Sequence, residues 1–133
     1  MFNILIAEDD RVHAVMLERY LHMLGHETVI VDNGRKVLEH LEQHPCDLIL
    51  MDLQMPEMSG LEAARAIRKL TTDTNQVPII AITAHAEDDC TECFLAGMND
   101  VLIKPVLLAQ VISTINAHVP GADQTAPKGS TTN

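Results

Sequence analysis

Short apolar runs alternate with amphipathic stretches along most of the chain. The run at 3–7 predicts a strand. Val12, Val15, Met16, Leu21 and Leu24 then recur at helical spacing, so residues 11–24 are predicted to form a helix that Gly25 ends. A second strand is predicted at 28–31 and a second helix at 34–43. Residues 48–51 are continuously apolar, the pattern of a strand buried on both faces. Pro56 and Gly60 bracket the loop that follows. Ser59 and Glu62 have capping-box spacing, and Ala63, Ala64, Ile67 and Leu70 continue a third helix. After a polar loop at 71–76 come a strand at 77–81, a helix at 87–96, a strand at 101–103 and a helix at 107–118.

Five βα units in succession predict an α/β fold, a doubly wound sheet of five parallel strands with five helices on its two faces. Helical crossovers between parallel strands are right-handed and place the helices there. Residues 1–119 are expected to form one domain. From Pro120 the chain is rich in Gly, Ala, Ser, Thr and Pro without periodicity, so 120–133 is expected to be a flexible tail or linker.

Composition narrows the function classes. A chain of 133 residues suits a single core, and with one Tyr, two Phe and no Trp that core must be aliphatic. Base stacking on aromatic platforms is disfavoured for the same reason. The formal net charge is −10 and the few Lys and Arg are scattered, so direct nucleic-acid binding and an anionic membrane surface are both disfavoured. The apolar start is short, lacks a basic flank and runs into Glu8, Asp9 and Asp10, so it does not read as a secretion signal. No apolar run approaches the ~20 residues of a membrane span. Three cysteines, an odd number, suggest reduced thiols and a cytoplasmic protein.

The candidate chemistry lies where strands end. In a parallel α/β sheet, ligands gather at the carboxyl ends of the strands. Glu8, Asp9 and Asp10 follow the first strand, Asp52 ends the third, Thr83 and Ala84 follow the fourth, and Lys104 and Pro105 follow the fifth. Carboxylates gathered there would repel one another, and one would take up a proton. A hard divalent cation relieves that: Mg²⁺ prefers oxygen ligands and is often held by one or two carboxylates plus a phosphate. Lys104 offsets charge as a mobile point cation.

The runs ILIAEDD, DLILMDLQMPEMSGLEA, VPIIAITA and NDVLIKP, in that order, resemble the receiver domains of two-component response regulators. The resemblance covers about residues 2–119, and the MDLQMP and GMND strings look most like receivers attached to hybrid sensor kinases. It implies a flavodoxin-like, chemotaxis-regulator-like fold with strand order 2-1-3-4-5. It implies that Glu8 and Asp9 hold Mg²⁺, or Mn²⁺ in its place, with Asp52 and the backbone carbonyl of Gln54. Asp10 need not be a ligand. By the same carry-over Asp52 is the phosphoacceptor, Thr83 the hydroxyl that responds to phosphorylation, Lys104 the lysine of the motif, and Pro105 a cis proline. Gln54 and His85 flank the path of the hydrolytic water, and Ala84 lies between Thr83 and His85. The implied partner is a histidine kinase or a histidine phosphotransfer domain. The implied role is a signalling switch that catalyses only its own phosphorylation and dephosphorylation. Such receivers often carry an aromatic three residues before the lysine. Val101 stands there instead, which points to a small conformational change, at most a weak or phosphorylation-dependent dimer, and a role in relaying phosphate.

Other signals read more plainly. Cys90 and Cys93 form a C-x-x-C, but Glu87, Asp88, Asp89 and Glu92 surround it and would raise a thiol pKa. A zinc site would need further ligands, with Cys46 or His85 as candidates. His22, His26, His40 and His44 read as helix-end or surface residues. Two rival functions remain. A degenerate receiver that only binds partners would normally have lost Asp52, one of the acidic pair or Lys104. A haloacid-dehalogenase-type phosphatase would carry a second Asp two residues after the nucleophile, where this chain has Gln54.

Overall fold

The computed structural model describes residues 1–121. The tail expected at 120–133 therefore lies, from residue 122 on, outside the described residues, as do the side chains of residues 86–89, among them Glu87, Asp88 and Asp89 beside the C-x-x-C. The elements run β1 (Asn3–Ala7), α1 (Arg11–Met23), β2 (Glu27–Val31), α2 (Gly34–Gln43), β3 (Leu48–Asp52), α3 (Gly60–Arg68), β4 (Ile79–Thr83), α4 (Ala86–Leu95), β5 (Asp100–Ile103) and α5 (Leu108–His118). A short 3₁₀ turn at Asp73–Gln76 interrupts the segment expected to be a plain loop. The sheet is parallel throughout, in the order β2-β1-β3-β4-β5.

The alternation of side chains along each strand divides the interior into two layers. Ile4, Ile6, Leu48, Leu50, Ile80 and Ile82 pack on one face with Leu17 and Leu21 of α1 and Val111 and Ile115 of α5. Leu5, Ala7, Ile49, Met51, Ile79 and Ala81 pack on the other with Val37 and Leu41 of α2 and Ala63, Ala64 and Ile67 of α3. Every residue of β3 and β4 is buried. Continuous apolar runs are what central strands of such a sheet require.

The fourth strand is displaced from its expected place by two residues. Val77 donates its N–H to Thr74 and closes the 3₁₀ turn, and Pro78 has no N–H to give a ladder. Pairing therefore starts at Ile79 and runs to Thr83, which lies beside Ile103. The helix starts are set locally. Asp10 caps α1 by accepting from the Val12 and His13 N–H groups, and Ser59 and Glu62 form the reciprocal capping box of α3. His26 departs from the surface reading: it is buried, with Nδ1 accepting the Phe2 N–H at 3.1 Å. Burial lowers its pKa.

At the edge of the sheet remote from the acidic residues, one cation ties three segments together. The Arg68 guanidinium donates to the carbonyls of Gly97, Asn75 and Val77 and to Asn99 Oδ1, at 2.7–2.9 Å. Gly97 turns there with φ +100°, and a Cβ on it would press on the Arg68 side chain. Truncating Arg68 strands several part-buried carbonyls at once. Arg68→Ala is expected to lower stability by about 2–3 kcal/mol in denaturant unfolding. The exposed Arg65→Ala on the same helix should change it by less than about 0.5 kcal/mol.

Candidate functional site

Strand order decides which loops meet. β1 and β3 are neighbours, with β4 and β5 following, so the residues after their carboxyl ends converge on one rim. Glu8, Asp9, Asp10, His13, Asp52, Gln54, Thr83, Ala84, His85 and Lys104 line a single cleft there. Ligand oxygens of Glu8, Asp9 and Asp52 all lie within 4.8 Å of one another. Glu8 and Asp52 are buried, while Asp9 is exposed.

The Asp52 backbone is held by the start of α3. Gly60 donates its N–H to Leu53, and a Cβ on Gly60 would overlap the Asp52 carbonyl oxygen. Only a glycine lets the helix begin so close to the strand end. The Asp52 carboxylate accepts the Gln54 N–H at 3.3 Å and faces Lys104 Nζ at 3.6 Å. Lys104 stands nearer to Glu8, with Nζ 3.1 Å from Oε1. Glu8 Oε2 accepts the Asp10 N–H at 3.2 Å. Thr83 Oγ1 accepts the His85 N–H at 3.0 Å. The Lys104–Pro105 peptide is cis.

These contacts set the electrostatics. Burial, and after it the contact with Glu8, pushes the Asp52 carboxyl up to about 6, and Lys104 and the Gln54 N–H pull only part of the way back. Burial alone would lower Lys104, but Glu8 and Asp52 outweigh it and raise its pKa above the usual lysine value. Asp10 is lowered, first by the His13 N–H it accepts; its work is to cap α1. The donor set suits a hard divalent cation, which would relieve the repulsion between Glu8 and Asp52. Glu8, Asp9 and Asp52 could hold it.

The sequence-predicted residues Glu8, Asp9, Asp52, Gln54, Thr83, Ala84, His85 and Lys104 all line this cleft. Val101 does not: it is half-buried against the α2–α3–α4 layer of the core. His13 lines the cleft and was not singled out in the sequence. Its signal was weak, an imidazole three residues after the capping Asp10 in the first turn of α1. Of the C-x-x-C, Cys90 is half-buried and Cys93 is wholly buried in the core. Among the described residues, Glu8, Asp9 and Asp52 form the one cluster with metal-ligand spacing.

Comparison with known proteins gives a consistent result. A family model described as the response regulator receiver domain matches residues 4–116. The hybrid signal transduction protein dokA of Dictyostelium discoideum is 35% identical over 96% of this chain, which spans 8% of that protein. Sensor protein GacS of Pseudomonas syringae pv. syringae is 37% identical over 83% of this chain, which spans 13% of it. The chain thus matches only a small part of these relatives' length. Among solved structures, the receiver domain of sensor histidine kinase PA1611 from Pseudomonas aeruginosa PAO1 superposes with a TM-score of 0.82 at 36% identity. That match covers 88% of this chain and 96% of the other, and the PA1611 structure has a magnesium ion coordinated in its active-site cleft.

The raised Asp52 pKa has a consequence for stability. A carboxyl whose folded pKa lies above its unfolded value of 3.8 binds its proton more tightly when folded. Its stabilising share is full below 3.8 and is lost as pH rises through about 6. Without divalent cations, Asp52→Asn is expected to be more stable than the parent at pH 8, by on the order of 2–3 kcal/mol. The difference should close toward pH 4. Thermal or urea unfolding at both pH values tests this, and an equal difference at both would contradict the assignment.

Proposed function

The chain belongs to the response regulator receiver domain family, and on that premise we propose that it takes a phosphoryl group on Asp52 from a phosphohistidine of a histidine kinase or histidine phosphotransfer domain. One observation carries this reading: a buried Asp52 carboxylate at a strand end, pushed up to about 6 by burial and Glu8, with Lys104 Nζ 3.6 Å away. That is a nucleophile kept beside compensating charge.

The residues divide the work. An Asp52 oxygen attacks phosphorus; the new O–P bond forms as the P–N bond to the donor imidazole breaks, and that imidazole leaves with its electron pair and takes up a proton. Lys104 and the Thr83 hydroxyl stand at the same rim, where charge spreads over the phosphoryl oxygens. A Mg²⁺ or Mn²⁺ ion held by Glu8, Asp9, Asp52 and the Gln54 carbonyl would neutralise part of that charge. The aspartyl phosphate is a mixed anhydride, so water can later attack phosphorus and return Asp52 as carboxylate with inorganic phosphate. The side chains of Gln54 and His85 are exposed at the cleft and are suited to admit or exclude that water. Ala84 adds no bulk beside Thr83.

We read the switch as modest. Phosphorylation adds charge beside Thr83, and the response passes to β5, where Val101 has a small side chain with a stiff χ1. This suits a domain that relays phosphate, in keeping with the hybrid signal transduction protein and the sensor histidine kinase among its relatives. The receiver is taken to extend through residue 119, with 120–133 as tail or linker.

Incubation with Mg²⁺ and a small acyl-phosphate donor is expected to add one phosphoryl group that is labile to both acid and base, read by intact mass. Asp52→Asn should take none, and omission of the cation should slow the reaction steeply. A variant at Asp52 that is still labelled at a comparable rate would refute the acceptor assignment. For the switch, sedimentation should show little phosphorylation-induced self-association in the parent, the shift being worth about 1–2 kcal/mol. Val101→Tyr should enlarge it. Tight dimers formed by the phosphorylated parent would count against the relay reading.

A further inference from the structure

Glu8 places its carboxylate almost wholly buried at the rim of the cleft. It is 1% exposed. Lys104 draws on its Oε1 from the side of Asp52, and its Oε2 has the Asp10 N–H. On its other flank stands His13. Nδ1 of His13 lies 3.8 Å from Glu8 Oε1 and 3.7 Å from Asp10 Oδ2. That nitrogen is closed off from solvent and has no hydrogen-bond partner.

The ring is placed there by the helix start. Asp10 accepts the His13 backbone N–H and so fixes both the first turn of α1 and the carboxylate that faces the ring. Behind Glu8, His13 and Lys104 the wall is apolar, built from Met16, Leu17, Ile82 and Val106. The His13 side chain as a whole is 39% exposed, so its effect on Glu8 rests on the one shielded ring edge that faces the buried carboxylate. The two carboxylates favour the tautomer that carries hydrogen on Nδ1.

Resting on the reading of the cleft as a divalent-cation site, we propose that His13 is a positioning residue for that cation: its Nδ1–H edge steadies Glu8 against the pull of Lys104 and keeps the carboxylate turned toward Asp9 and Asp52. His13 is not itself a ligand. Groups just outside a ligand set commonly change metal affinity by about 10–100-fold when removed.

The test is Mn²⁺ affinity, by electron paramagnetic resonance or calorimetry, at pH 8 and without a phosphodonor. His13→Leu keeps bulk but loses the N–H. His13→Asn loses bulk but keeps an N–H donor near the same place. His13→Ala removes both. Leu and Ala are expected to weaken Mn²⁺ at least about 10-fold, and Asn to stay within roughly threefold of the parent. A ring that only fills space would give the reverse order, with Leu retained and Asn lost, and that result would overturn the proposal. So would three variants that bind like the parent. If the parent itself fails to bind Mn²⁺, the cation reading of the cleft falls, and this inference with it.

Discussion

Two buried carboxylates that repel each other set the terms for this molecule. Glu8 and Asp52 are brought together because β1 and β3 are adjacent strands, and neither can turn away into solvent. Burial, and after it Glu8, raises the pKa of Asp52, while Glu8 and Asp52 together outweigh burial and raise that of Lys104. One ammonium answers two carboxylates, and it stands closer to Glu8 than to Asp52. The cleft therefore retains a deficit of positive charge, which a divalent cation or a protonated Asp52 can make up.

The rest of the fold keeps that imbalance in place. Carboxylates under strain of this kind would separate on flexible loops. Here they sit at the ends of β1, buried from Ile4 onward, and of β3, buried throughout, both packed from two faces by helices. Helix starts do much of the fine placement. Asp10 ends its usefulness as a free acid by capping α1, and Gly60 lets α3 begin against the Asp52 carbonyl. Arg68 performs the opposite task at the far end, where a cation is satisfied by neutral oxygens and holds the connections into β4 and β5. Rigidity at one end and unresolved charge at the other are complementary properties of one sheet.

Much of this was legible before any coordinates. The apolar run of β3 marked a strand buried on both faces because only such strands can be so continuous. The Ser59–Glu62 capping box was readable because a cap is a local interaction between residues three apart. The fourth strand was misplaced by two residues because Val77 is apolar and a good strand former, while the missing N–H of Pro78 and the 3₁₀ turn at Asp73–Gln76 decided where the ladder starts. His26 read as a surface residue near a helix end, yet it is buried beside Phe2, twenty-four positions away along the chain.

The sequence by itself determined the strands and helices, the two-sided core, and the acids, hydroxyl and ammonium that stand at the strand ends, because each of these follows from local pattern or from residue type. Tertiary structure alone decided how those groups share charge. That Lys104 leans on Glu8 more than on Asp52, and that Glu8 helps push the Asp52 carboxyl up, are outcomes of distances between segments far apart in the chain. Coulomb interactions and desolvation depend on those distances and on burial, and neither is encoded in the spacing of residues along a strand or a helix.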